Sequence, residues 1–370
     1  MTGRTPDGTT SPPDPPEPAR DRAVRVRLLR RPSGAPNGAL AGLVLVGAAM
    51  AVAEPVFLVP TNLVNVGVQA AVVALLAIGM TFAVLTGGID LSVGSVMALG
   101  AVVAALVAET VAGSAPAGGS GWAPAAAVVA GLLTGLVAGT GNGLLVAHAG
   151  FPPFIATLGT LSLARGLTLV LSDGSGLAVP AAVTALGGEV ALGGVAVPVP
   201  VLVPAGAALA AAFVLGRTRY GRWTYAVGGN ASAAARLGIP VRRVTCTAYV
   251  ISGLCAATAG LVLAGRLSSA QPRAGIGIEL DAVSAVVLGG ASLAGGHGTV
   301  SGAVTGAVLL AVVRNGLTLL DVDAFWQEVA IGAVLLLAVG VDQARHRGLP
   351  RSRRRRRRRH PRHPTTEGHP

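Results

Sequence analysis

From Val64 to Leu85 the chain carries no charged side chain. An apolar run of that length crosses a ~30 Å hydrocarbon core as a helix, which satisfies its own backbone polar groups inside lipid. Similar runs cover Gly38 to Ala53, Val96 to Val111, Ala125 to Val146, Phe154 to Leu171, Val199 to Leu215, Val244 to Ala264, Val300 to Leu320 and Phe325 to Val341. A further run, Ala282 to Leu288, is too short to cross alone and reads as a broken or re-entrant helix. Apolar residues make up 52% of the chain, charged residues 12% and aromatic residues 3%, and the apolar runs are continuous, which excludes an alternating outer-membrane barrel. The expected fold is all-α and polytopic, with about ten transmembrane or partly membrane-embedded helices.

The net charge of +12 sets topology before it sets ligand choice. All 28 basic residues are arginine, and most lie in the N-terminal tail, in Arg217 to Arg243 and in the C-terminal tail. Cytoplasmic segments collect Lys and Arg, so all three are expected in the cytoplasm, with an even number of crossings between them. Ser172 to Pro198, with Asp173 and Glu189 but no arginine, then lies outside, as do Asp321 and Asp323. Arg266 and Arg273 run against this pattern, offset in part by Glu279 and Asp281. The chain divides into a disordered Arg/Pro-rich cytoplasmic tail (1–37), a transmembrane domain (38–342) with a cytoplasmic loop (217–243), and a disordered Arg-rich cytoplasmic tail (343–370). The first span reads as a retained crossing rather than a removed signal peptide. Without lysine there is no P-loop ATPase site and no Schiff base. Cys246 and Cys255 share one apolar segment and read as small core residues, and His148 and His297 stand alone, so no metal-ligand spacing appears.

Asp90 is the residue that most needs explaining. It sits in Thr-Gly-Gly-Ile-Asp-Leu-Ser-Val-Gly, Thr86 to Gly94, between two uncharged runs. An ionisable group inside a membrane domain is a candidate functional residue, and it is the one convincing intramembrane acid of the sequence. Gly87 and Gly88 can break one helix, while Asp90 can cap the next by accepting from the amides of Ser92 or Val93. A surface turn and a functional break both fit these residues. Asn142 and Arg165 are polar positions on otherwise apolar helices. Asn142 suits either the pathway or a helix-to-helix hydrogen bond, and Arg165 needs an acid such as Asp90 or a route to the interface.

The basic loop Arg217 to Arg243 holds six arginines and no acid. Within it Asn230 is a good N-cap, Ala231 to Leu237 a short helical body and Gly238 a stop. A short capped helix with small residues, an apolar Leu237 and Ile239 and a polar Arg236 suits a partner's groove better than the headgroup layer, because its apolar moment is weak.

Several motifs now stand in one order. They are Leu76 to Phe82 running into Gly87 to Gly94; Phe151 to Thr160 with Arg165-Gly166; Gly221-Arg222; Tyr225 to Asn230; Ala234 to Ile239; and Val286 to Gly290 with Gly295-Gly296 and Gly298-Thr299. Together they resemble the permease subunits of bacterial ABC importers for monosaccharides of the ribose, xylose and galactose type, over nearly everything from Asn62 to Asp342. The resemblance implies two permease copies, as homodimer or heterodimer, a cytoplasmic ATP-binding subunit and an extracytoplasmic sugar-binding protein, in the bacterial cytoplasmic membrane. Asn230, Ala234, Ala235, Arg236, Leu237, Gly238 and Ile239 would form the coupling helix. Thr157 joins Gly87, Gly88, Asp90, Ser92, Asn142 and Arg165 as candidates for the pathway or the helix break. No cofactor is expected on this chain, since ATP would be used by the partner. The family often carries acidic residues just after the loop's Asn, where this chain has Ala231, Ser232 and Ala233, and the Arg-rich tail is outside the pattern.

That tail, Arg351 with Arg353 to Arg359, follows a membrane span and lacks interleaved aromatics. Anionic lipid is therefore the expected partner rather than nucleic acid, at ~1 kcal/mol per arginine near a charged leaflet. Autoinducer-2 or nucleoside import by the same machinery is the alternative within this class. An ion-coupled secondary transporter is the rival outside it, and it would need more intramembrane acids. A bare membrane anchor leaves the glycine motifs unexplained.

Overall fold

The computed structural model describes residues 37–113, 121–333, 336 and 340. The two tails expected to be disordered, with the arginine run at 353–359, lie outside these residues. In chain order the helices are α1 (Asn37–Ala53), α2 (Pro60–Leu85), α3 (Val93–Gly113), α4 (Ala123–Ala147), α5 (Pro153–Leu171), the single turn α6 (Ala181–Thr184), α7 (Val199–Arg217), α8 (Arg219–Gly229), α9 (Ala231–Arg236), α10 (Val241–Leu267), α11 (Ile278–Leu288), α12 (Val300–Leu319) and α13 (324–333). Among the described residues seven of these, α2 to α5, α7, α10 and α12, are long and apolar enough to cross a membrane. The chain is a multi-pass helical membrane protein. Proline in the first turn starts α2, α4, α5 and α7, where its missing N–H costs nothing. With 11 residues, α11 rises only about 16 Å and does not span the bilayer by itself.

The connection between α5 and α7 carries structure that hydropathy does not reveal. β1 (Leu177–Ala178) pairs antiparallel with β4 (Ser269–Ala270), and β2 (Glu189–Leu192) with β3 (Val195–Pro198) makes a hairpin. Gly193 and Gly194 turn that hairpin at φ +60° and +85°, the left-handed pair that a two-residue turn requires. The β1–β4 pair ties the C-terminal ends of α5 and α10 to the same end of the bundle.

α2 is the central helix, buried almost continuously from Ala70 to Leu85. α10 lies against α2, α3 and α4. Its contact with α4 is backbone to backbone. A methyl group added at Gly135, Gly139 or Gly143 would run into the α10 main chain at Gly253, Tyr249 and Cys246, and one at Gly131 would meet Gly100 of α3. Small residues allow this approach, and close packing supplies the attraction that water supplies elsewhere. α2 is also joined to α12 by a reciprocal amide pair, Asn62 and Asn315, each donating to the other at 2.9 Å.

Candidate functional site

α2 ends in a Schellman motif. Gly87 takes φ +87°, its amide donates to the Val84 carbonyl at 2.9 Å, and the Gly88 amide donates to the Ala83 carbonyl at 3.0 Å. Three residues later Asp90 is 1% exposed, so this turn lies inside the bundle rather than on its surface. Its depth is fixed by α10. Gly88 sits against the Tyr249 hydroxyl, and Tyr249 is about 12 Å along α10 from that helix's start.

Asp90 Oδ1 accepts from the Ser92 amide at 3.1 Å and from the Ser92 hydroxyl at 2.6 Å, while the Asp90 amide faces Met80 Sδ at 3.4 Å. α3 begins at Val93, and the Val96 amide donates to the Ser92 carbonyl, so the N-cap position is Ser92. Asp90 forms the Asx turn that holds it, so the cap lies two residues beyond the Asp90 read from sequence. Asn142 of α4 extends the network, donating to Ser92 Oγ at 2.9 Å and to Asp90 Oδ1 at 3.4 Å, and accepting from Thr160 of α5 at 2.6 Å. Thr157, one turn earlier on α5, donates to the Ile89 carbonyl at 3.2 Å and to its own helix at Pro153. The break is thus laced to α4 and α5 by neutral polar groups. Tyr249 and Ser252 of α10 lie beside Asp90, and the buried Tyr249 hydroxyl has no hydrogen-bond partner among the described residues.

Arg165 does not reach Asp90. Its guanidinium pairs with Glu279, at 3.4 Å, in the first turn of α11. Asp281, two residues further along α11, pairs with Arg314 of α12 at 3.0 Å, and Arg314 also holds Glu328 of α13 at 3.0 Å. Two corrections follow. Glu279 and Asp281 do not offset Arg266 and Arg273, and Asp90 is not the only buried acid, since both are 8% exposed. Their carboxylates in the first turn of α11 are also stabilised by the positive end of its dipole.

The basic segment folds into two helices, of which only α9 is legible in the sequence. Asn230 accepts from the Ala233 amide at 2.9 Å, and Gly238 closes α9 at φ +79° with the Ile239 amide donating to the Ala234 carbonyl. Ala235, Arg236 and Leu237 are exposed, Leu237 at 81%, and Ile239 is half-buried. Ala234 differs from expectation. It is 2% exposed and packs with Val227 and Val244, so it seats α9 on the protein instead of facing a partner. The Tyr220 and Tyr225 phenols of α8 are also partly buried, and burial pushes both above the ordinary phenol range. His148 and His297 are exposed, and Cys246 and Cys255 are unpaired thiols on one helix.

The family model for the branched-chain amino acid transport system / permease component matches residues 62–339. The chain is 43% identical over 311 residues to the ribose import permease protein RbsC of Bacillus subtilis (strain 168), across 83% of this chain and 92% of that protein. It is 42% identical over 309 residues to RbsC of Escherichia coli (strain K12), across 83% and 93%. To the D-allose transport system permease protein AlsC of Escherichia coli (strain K12) it is 38% identical over 287 residues, across 78% and 85%. No solved structure matches the chain.

Proposed function

Since the chain belongs to the branched-chain amino acid transport system / permease component family, we propose that it is the membrane-spanning subunit of an ATP-driven importer of a monosaccharide. The observation that carries this reading is the likeness to the ribose permease, which runs across 92% of that protein. Energy comes from a separate ATP-binding subunit, and this chain binds no ATP or other cofactor itself. That subunit docks on α9, where Ala235, Arg236 and Leu237 form the contact, framed by the Asn230 cap and the Gly238 stop, with Ile239 at the edge and Ala234 beneath. An extracytoplasmic sugar-binding protein delivers substrate to the opposite face, and a second permease copy completes the pathway. Both termini and α8–α9 are cytoplasmic, with the arginine tail on anionic lipid.

Gly87, Gly88, Asp90, Ser92, Asn142 and Thr157 form the helix break that moves during transport, and Arg165 lies on the pathway through its pair with Glu279. The ion-coupled rival is less well supported, because Glu279 and Asp281 are each paired with an arginine. The test is reconstitution in proteoliposomes with the ATP-binding subunit and the sugar-binding protein. Ribose uptake that requires ATP and ignores ionophores is expected, with ribose, xylose, allose, nucleoside and autoinducer-2 as competitors to define the substrate. Uptake that proceeds without ATP and collapses with an ionophore refutes the reading.

A further inference from the structure

α8 and α9 share a residue. The Asn230 amide closes α8 by donating to the Ala226 carbonyl at 3.1 Å, and the Asn230 side chain opens α9, so no linker separates the exposed helix from the one beneath it. α8 ends in Gly228-Gly229, and Gly228 is pressed against two other backbones. A methyl group there would collide with the Leu85 carbonyl at the end of α2 and with the amide of Gly296. Those two groups bond each other, the Gly296 amide donating to the Leu85 carbonyl at 3.0 Å, which satisfies a carbonyl that the end of α2 leaves free. Gly295 and Gly296 adopt φ +89° and +74° to make the approach. A methyl at Gly295 would lie 3.0 Å from both the Gly228 carbonyl and the Gly87 amide. Tyr225 of α8 clips the same loop by donating its hydroxyl to the Gly298 carbonyl at 2.9 Å.

Resting on the reading that α9 receives the ATP-binding subunit, we propose that this three-backbone junction carries movement of α9 to the Asp90 break. Gly228 and Tyr225 are its positioning residues. A contact between side chains absorbs a small displacement by changing rotamers, whereas a contact between main chains has no such slack. Displacement of α9 passes through Asn230 and Gly228 to Leu85, and from Leu85 through the left-handed Gly87 to Asp90. The loop that holds Gly295 to Gly298 also begins at the end of α11, whose first turn holds Glu279 against Arg165, so the same push reaches the second candidate element. A physical chain of this kind becomes coupling only when its perturbation changes the energetic link between the two ends.

The measurement is ATP hydrolysed per ribose imported, in proteoliposomes containing the chain, the ATP-binding subunit and the sugar-binding protein. Gly228→Ala inserts a methyl group into the junction, and Tyr225→Phe removes one hydroxyl without adding volume. Both are expected to leave ATP hydrolysis running while uptake falls, to background for Gly228→Ala and about threefold to tenfold for Tyr225→Phe, so that the ratio rises. Tyr225→Phe decides the matter if Gly228→Ala does not accumulate in the membrane. A ratio equal to that of the unaltered protein overturns the proposal, whether both rates are kept or both fall together. Failure of the unaltered complex to couple ATP to uptake overturns instead the reading on which it rests.

Discussion

Replacing Asp90 separates its oxygen from its charge. Asp90→Leu removes the acceptor of two buried donors, the Ser92 amide and the Ser92 hydroxyl, at 3.1 and 2.6 Å. Each buried donor left unpaired costs about 1–3 kcal/mol, so the loss is about 2–6 kcal/mol. Asn142 adds little to this, because it keeps its 2.9 Å bond to Ser92 Oγ and loses only the longer one to Asp90. Against a total stability of ~5–15 kcal/mol the change is large. Asp90→Asn keeps Oδ1 where it is and places an amide beside Tyr249 and Ser252, whose hydroxyls can accept from it. The assay is thermal unfolding of the purified protein in detergent, alongside ATP-driven ribose uptake at matched membrane levels. Asp90→Asn is expected to unfold near the unaltered Tm and to retain substantial uptake, whereas Asp90→Leu unfolds earlier and transports nothing. If both abolish uptake equally while unfolding at the unaltered Tm, the carboxylate acts through its charge and the capping account is wrong.

Leu237→Asp changes an almost fully exposed side chain, so the protein is expected to reach the membrane normally yet lose co-purification of the ATP-binding subunit; retained association would remove α9 as the docking helix. Arg165→Leu leaves Glu279 facing the protein interior without its partner. A loss of about 1–3 kcal/mol is expected in thermal unfolding, reduced from the fully buried case because Arg165 is partly solvated, and the double variant with Glu279→Leu should recover most of it. For topology, Ser175→Cys and Ser232→Cys are placed singly in a background lacking Cys246 and Cys255. An impermeant thiol reagent applied to intact cells should label the first and spare the second, and the reverse pattern would invert the molecule.

What the sequence reveals is what its physics keeps local. Helix spans follow from uninterrupted apolar runs, and the Gly87, Asn230 and Gly238 termini from capping chemistry decided within a few residues. α8 escapes because its mixture of arginine, tyrosine and glycine carries no membrane signal, although its cap at Thr218 is an ordinary one. Arg165 and Glu279 are 114 residues apart, and Asn62 and Asn315 are 253 apart, distances at which no spacing rule operates. The inward turn of Ala234 depends on where α8 and α10 lie. Asp90 is conspicuous because it interrupts an uncharged stretch, while its partner Asn142 can be found as a polar residue but not as a neighbour.

The glycine face shared by α4 and α10 limits how the molecule can change shape. Helices separated by ordinary side chains slide past one another by fractions of a turn, but these two mesh like rack and pinion, tooth against gap at Gly135, Gly139 and Gly143. The teeth are four residues, about 6 Å, apart, and a shifted setting would have to find glycine-sized gaps at every tooth at once. Neighbouring α3, engaged at Gly131, travels with them. α3, α4 and α10 therefore resist sliding along one another and hold together as one packed unit.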